Sequence, residues 1–332
     1  MTLRLLPDAT GLAKACDLLD KGELVAFPTE TVYGLGADAT NPEAVARIYQ
    51  AKGRPAFNPL IAHVANRDAA MREGVFDDAA QRLAGRFWPG PLTLVTPVAA
   101  QCSVSELARA GLDSVGLRCP SHPVALALLA AFGRPVAGPS ANRSGHVSPT
   151  TAGHVLGDLS GRIAAVIDAG PTPVGIESTI VGCFDERAVL LRPGVITRAA
   201  LEQACGRPIE QAGPDSATPR APGRLLAHYA PKTPVRLDAV DVRPGEAALA
   251  FGPAILPGQT DAVKVINLSE TGDLTQAAAR LYAALRELDD AGATAIAVAP
   301  LPHAGLGEAI ADRLARAAVG STTRGRNKGT LT

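Results

Sequence analysis

Cysteine is scarce and shows no pairing pattern: Cys16, Cys102, Cys119, Cys183 and Cys205 are scattered over 332 positions. With no C-x-x-C pair and no histidine at ligand spacing, the set fits neither a zinc site nor a disulfide framework. The expectation is reduced thiols, mostly buried as small hydrophobes. No apolar run approaches the roughly 20 residues that span a bilayer. The opening Met1-Thr2-Leu3-Arg4-Leu5-Leu6-Pro7-Asp8 breaks too early for a signal h-region, so the expected address is cytoplasmic, with no membrane partner. A charge excess is missing as well: 32 Lys plus Arg balance 32 Asp plus Glu. Nothing global then draws the chain to nucleic acid or to an anionic surface, and any anion site must be local. The 47% hydrophobic content against 19% charged residues excludes disorder as a description of the whole.

What is present is an alternation of short β-rich runs with helical patterns, which reads as α/β. Strands are expected at 23–27, 60–65, 92–98, 115–119, 135–138, 164–168 and 179–183, and helices at 77–87, 123–132, 152–159 and 197–205. Asn41-Pro42-Glu43 looks like an N-cap, an N1 proline and a first-turn acid opening a further helix that ends near Lys52, with Gly53 as C-cap. After Cys205 a stretch rich in Pro, Gly, Ser, Thr and Ala reads as a linker over 206–234. A smaller βαβ domain with a parallel sheet follows over 235–320, and the polar segment 321–332 reads as a mobile tail.

The loop after the first strand carries Gly34-x-Gly36-x-x-Ala39, a variant of the dinucleotide fingerprint. Its context argues against that role, because Asn41-Pro42 restarts the chain before any helix and no acidic residue stands near 59 to hold a ribose. Lys52-Gly53-Arg54-Pro55 is the better anion site. Lysine is rare here, six of 32 basic residues, and this one stands two positions from an arginine. The pair either caps the helix C-terminus or clamps phosphate, as point charge and bidentate fork. Both residues are expected on an exposed loop, so that removing either should reduce turnover by orders of magnitude with little loss of fold. His63 lies within a strand, where a structural role competes with a binding one. Arg118 sits in an otherwise apolar strand and needs an anionic partner, from protein or from ligand. The segment Ser140-Ala141-Asn142-Arg143-Ser144-Gly145-His146-Val147-Ser148 is crowded with groups that bond phosphate or ribose oxygens, although such residues are also common in turns. No G-x-S-x-G elbow accompanies Ser140, so a hydrolase nucleophile is discounted.

In order along the chain, Pro28-Thr29-Glu30-Thr31-Val32-Tyr33-Gly34-Leu35, Lys52-x-Arg54-Pro55 with Asn58-Pro59-Leu60, Phe87-Trp88-Pro89-Gly90-Pro91-Leu92-Thr93, Gly116-Leu117-Arg118, Ser140-x-Asn142 and Glu177-Ser178-Thr179 resemble the YrdC-type L-threonylcarbamoyladenylate synthases. The resemblance covers about the first 205 residues. The linker, with Ala227-His228-Tyr229-Ala230-Pro231, and the smaller domain resemble the long two-domain form of that family.

The resemblance implies a twisted open mixed sheet with a concave, positively charged pocket, plus a Rossmann-like C-terminal domain. It also implies a reaction in which L-threonine, bicarbonate and ATP give L-threonylcarbamoyl-AMP and pyrophosphate, for modification of the tRNA adenosine next to the anticodon. Carried over residue by residue, Lys52, Arg54 and Asn58 meet the phosphates; Ser140, Asn142, Ser148 and Arg192 meet the nucleotide. Lys52 and Arg54 are the implied catalytic pair, Thr31, His63, Arg118 and Ser178 bind L-threonine, and Tyr229, a further ATP contact, lies with the linker over the pocket as a candidate lid. Mg2+ is expected on the triphosphate and a tRNA threonylcarbamoyl transferase downstream, with tRNA a weak or indirect partner because the chain is neutral. The sequence departs from many relatives at Ala137-Gly138-Pro139, where they carry further Ser or Thr.

Overall fold

A computed structural model describes residues 1–212 and 228–327. Within these the chain divides into two compact units, one built from 1–144, 149–173 and 177–212, the other from 145–148, 174–176 and 228–327. The lid role ascribed to 206–234 rests largely on 213–227, which lie outside the described residues, as do 328–332 of the tail.

The first unit is a mixed sheet. Its strands are β1 (Leu3–Leu5), β2 (Val25–Phe27), β3 (Gly34–Asp38), β4 (Ile61–His63), β5 (Leu92–Pro97), β6 (Ser114–Arg118), β7 (Val136–Ala137), β8 (Ala165–Ile167), β9 (Thr179–Phe184), β10 (Arg187–Arg192) and β11 (Glu210–Gln211). They lie in the order β1-β8-β2-β3-β7-β4-β6-β5-β9-β10-β11. The helices are α1 (Ala9–Asp20), α2 (Pro42–Lys52), α3 (Arg67–Glu73), α4 (Asp78–Phe87), α5 (Pro123–Phe132), α6 (Ala152–Leu159) and α7 (Arg198–Cys205). Both faces of the sheet are covered: Ala26 of β2 joins the main core, while its neighbours Val25 and Phe27 join a second cluster with Ala15 and Leu19 of α1 and Leu128 and Leu129 of α5. Burial on both faces explains why this strand shows no polar alternation.

Local signals worked where the forces are local. Asn41 accepts from the amides of Glu43 and Ala44, Pro42 opens α2, and Gly53 closes it at φ 61° in the left-handed region that glycine enters without steric cost. Several elements escaped the periodic reading, α3 and β11 among them, and two further cases stand out. The first is β1 with α1, capped by Asp8, whose carboxylate accepts from the Gly11 amide.

The second is β3, expected as loop. It pairs antiparallel with β2, Gly36 opposite Val25 and Gly34 opposite Phe27. A Cβ on Gly36 would stand 2.8 Å from the Val25 carbonyl oxygen, and one on Gly34 would stand 3.2 Å from the Phe27 ring. The Gly-x-Gly pattern therefore admits a close cross-strand contact.

The second unit is a parallel four-stranded sheet of β12 (Val235–Arg236), β13 (Ala247–Ala250), β14 (Val265–Asn267) and β15 (Ile296–Val298), ordered β12-β15-β13-β14, with α8 (Leu274–Asp289) and α9 (Leu306–Asn327). Helix α9 continues through 321–327, into the segment expected as a mobile tail. The Ser321 hydroxyl accepts from the Val235 amide and so ties this turn to β12. All five cysteines are free, with Cys119, Cys183 and Cys205 buried. Among the described residues no helix is long and apolar enough to cross a membrane.

Candidate active site

The sheet order brings the carboxyl ends of the parallel strands β4 and β6 together, with their last residues, His63 and Arg118, in register. Antiparallel β7 flanks β4, Val136 opposite His63. Crevices at the carboxyl ends of parallel strands are where open α/β sheets bind ligands. Around this point the fold gathers side chains into two neighbouring groups.

The first group forms where α2 ends. Lys52 and Arg54, expected on an exposed loop, are 3% and 8% exposed. The Lys52 ammonium donates to the carbonyls of Ser140 and Asn142, both at 2.5 Å, and the Ser144 amide returns a bond to the Lys52 carbonyl at 2.8 Å. Burial, then the neighbouring Arg54, pushes the Lys52 pKa well below the usual lysine value, with Asp158 opposing. Burial follows from tertiary contact: the last turn of α2 packs its lysine against the loop after β7, and local sequence carries no sign of it. Arg54 donates to the carbonyls of Asn58 at 3.3 Å and Pro59 at 3.0 Å, while the buried Asn58 Oδ1 has no donor among the described residues.

The second group lines the β2–β3 turn and the ends of β6, β9 and β10. Thr31 is buried and shares a hydrogen bond with the Thr29 hydroxyl at 2.8 Å. His63 sits edge-on to Phe27, and burial, reinforced by the Arg118 guanidinium, lowers its pKa to about 3, so the imidazole is neutral. A Cβ on Gly138 would lie 2.8 Å from His63 Nδ1, so the imidazole fills the space that a serine or threonine at 138 would need. Ser178 shares a hydrogen bond with Thr93 at 2.8 Å and accepts from Arg192 Nη2 at 3.2 Å. Arg192 also donates to the Ser178 carbonyl through Nε and Nη2, which groups it with Ser178.

One residue of this group was given no role in the sequence. Glu30, 6% exposed, lies 2.8 Å from Arg118 Nη2 and accepts the Ser121 amide at 3.1 Å. It is the protein partner that a buried arginine required. The need was legible from Arg118, but the supplier, 88 positions away, was not. Arg118 Nε, also buried, has no acceptor among the described residues.

Ser148 and Tyr229 belong to the second unit. There Tyr229 is 1% exposed, at φ 59°, stacked on Tyr282 with ring centroids 5.6 Å apart. Among the described residues no group of three or more His, Cys, Asp or Glu side chains is placed to hold a metal.

A buried neutral histidine, buried cations and hydroxyls brought together here define an α/β protein with a candidate site for anions. Known proteins make the family specific. A family described as "Telomere recombination", Sua5/YciO/YrdC, matches residues 17–194, and one described as "Threonylcarbamoyl-AMP synthase, C-terminal domain" matches 196–319. The threonylcarbamoyl-AMP synthase of Bacillus subtilis is 42% identical over 94% of both chains, and that of Pyrococcus abyssi 40% identical over 91% of this chain and 92% of its own. The crystal structure of P. abyssi Sua5 complexed with L-threonine superposes with a TM-score of 0.87 at 36% identity, covering 97% of this chain and 98% of that one. Escherichia coli YciO, at 21% identity and a TM-score of 0.51 over 59% of this chain, shares the fold of the first unit's type. The chain belongs to the Sua5/YciO/YrdC family, in its long two-domain threonylcarbamoyl-AMP synthase form.

Proposed function

We propose that this chain converts L-threonine, bicarbonate and ATP to L-threonylcarbamoyl-AMP, pyrophosphate and water, as a nucleotidyltransferase serving tRNA modification. The observation that carries the reading is the Lys52 ammonium, buried against the 140–142 backbone beside Arg54, in a chain whose relatives are named for this product.

The chemistry asks the protein to position and neutralise. Threonine's amine attacks a carbon dioxide equivalent, the carbamate oxygen attacks the α-phosphorus, and pyrophosphate leaves. Bringing three reactants into line and spreading negative charge supply the acceleration. Lys52 spends two of its three N–H donors on carbonyls, so a triphosphate oxygen takes the third and returns a counter-charge to an ammonium that burial disfavours. Arg54 and Asn58 continue this phosphate face, and Ser140 and Asn142 face the nucleotide. Mg2+ arrives on the triphosphate, with the phosphates as its main ligands, and would supply further charge neutralisation there.

On the amino-acid side Arg118 takes threonine's carboxylate. Its buried Nε, without an acceptor among the described residues, is a donor that a ligand oxygen can take. Neutral His63 offers its Nδ1, which has no partner among the described residues, to threonine's amine or hydroxyl without adding charge, and Thr31 and Ser178 complete that subsite. The product passes to a tRNA threonylcarbamoyl transferase; the balanced charge of the chain makes tRNA a weak or indirect partner, and its place of work is the cytoplasm.

The test is pyrophosphate release from ATP by the purified full chain in bicarbonate and magnesium, with L-threonine, with L-serine and with no amino acid. Threonine-dependent release with the mass of threonylcarbamoyl-AMP is expected. Release independent of any amino acid would point to a carbamoyl-adenylate enzyme, and no release to a binding module.

A further inference from the structure

The two anion subsites differ in how the protein itself treats their cations. Lys52 is hydrogen-bonded by carbonyl dipoles, with no carboxylate in ion-pair contact among the described residues and Asp158 acting only as a weaker electrostatic influence. Arg118 is met by a full carboxylate, Glu30, at 2.8 Å, with both side chains at least nine-tenths buried. Glu30 is itself fixed from both ends, by its place in the β2–β3 turn and by the Ser121 amide ahead of α5.

A bare guanidinium at the end of β6, buried and close to hydroxyls, would be a good site for phosphate or pyrophosphate. With Glu30 beside it, the pair has no net charge. A second carboxylate can still form a hydrogen-bonded contact through the remaining donors, Nε among them, but a polyanion meets the repulsion of Glu30 at short range in a low-dielectric pocket.

We propose that Glu30 is a specificity-determining residue that sorts anions between the two subsites: it keeps phosphate groups, the leaving pyrophosphate included, out of the Arg118 subsite and reserves that subsite for the monoanionic carboxylate of the amino acid. This rests on the reading of Arg118 as the threonine subsite. The consequence for turnover is that product pyrophosphate, formed in the same pocket, does not occupy the amino-acid site and block the next cycle.

The experiment is product inhibition by inorganic pyrophosphate in the full chain, with threonine varied at saturating ATP, in the native protein and in Glu30→Gln, which keeps the side chain's shape and an acceptor for Ser121 but removes the charge. In the native protein pyrophosphate is expected not to compete with threonine. In Glu30→Gln it is expected to compete, its inhibition constant against threonine falling by about tenfold or more. Glu30→Asp, which keeps the charge, should restore the native pattern.

A purely structural role predicts lower activity in Glu30→Gln with no gain of competition, and that result overturns the proposal. If Glu30→Gln proves too unstable to assay, Glu30→Asp decides: a folded, active variant that admits pyrophosphate as a competitor of threonine overturns it equally. Absence of threonine-dependent turnover in the native protein would instead refute the underlying reading of the site, so the two failures are distinct.

Discussion

The ammonium of Lys52 and the carbonyl of Asn142 lie 2.5 Å apart, a direct bond between the end of α2 and the loop after β7, 90 residues on. Together with the bond to Ser140 it makes Lys52 the clasp of the 140–142 loop, and under the proposed function the same ammonium is also the phosphate ligand. Lys52→Ala should therefore abolish turnover and also lower thermal stability. Each hydrogen bond to a charged donor contributes about 1.5–3 kcal/mol, offset in part by the cost of burying the ammonium. Thermal unfolding of the variant with and without ATP checks this. An unchanged melting temperature with lost activity would mean that the two carbonyl contacts contribute nothing net.

His63 makes stability depend on acid. Its pKa is lowered from 6.5 to about 3 by burial and then by Arg118. The unfolded chain thus binds one more proton than the folded chain between those values. Stability is fully present above about pH 6.5, falls as the pH drops towards 3 with a limiting slope of about 1.4 kcal/mol per pH unit from this residue, and changes no further below that. Denaturant unfolding from pH 7 to pH 4 should show this slope reduced by close to one proton in His63→Gln. Equal slopes in the two proteins would show that His63 is not the titrating group. The same shift requires that any acid limb in the activity profile near pH 6 come from another group.

The glycines of the apparent dinucleotide fingerprint are predicted to matter for packing alone. Gly36→Ala would press a Cβ to 2.8 Å from the Val25 carbonyl and 3.1 Å from the Phe27 ring, contacts that only a shift of the β2–β3 pair can relieve. A loss of about 1–3 kcal/mol is expected from such overpacking. ATP affinity of the folded fraction should be unchanged. A tenfold weaker ATP affinity in a variant of native stability would restore a direct nucleotide role for this strand.

Much of the second unit's order and the helices of the first other than α1 and α3 were legible because their determinants are near neighbours in sequence. Asn41, Pro42 and Gly53 mark α2 by hydrogen-bonding and dihedral preferences that act over a few residues, and the apolar period of α8 buries Ala277, Ala278, Leu281, Leu285 and Leu288. The chemical types at the site were legible for a related reason. A buried arginine in an apolar strand and a rare lysine after a helix each declare a need for a counter-charge wherever the chain folds.

Three features were decided only by the assembled sheet. The segment at Gly34 and Gly36 became a strand because β2 and β7 flank it, and glycine has no side chain to announce such a choice beforehand. Lys52 became a buried clasp because the order β3-β7-β4 delivers the 140–142 backbone to the end of α2, a contact that no local pattern encodes. The counter-charge of Arg118 came from Glu30, on a turn far off in sequence. Local propensity and charge specify what each residue needs, while the partner that meets the need is chosen by which strands lie side by side, and that is a property of the whole sheet.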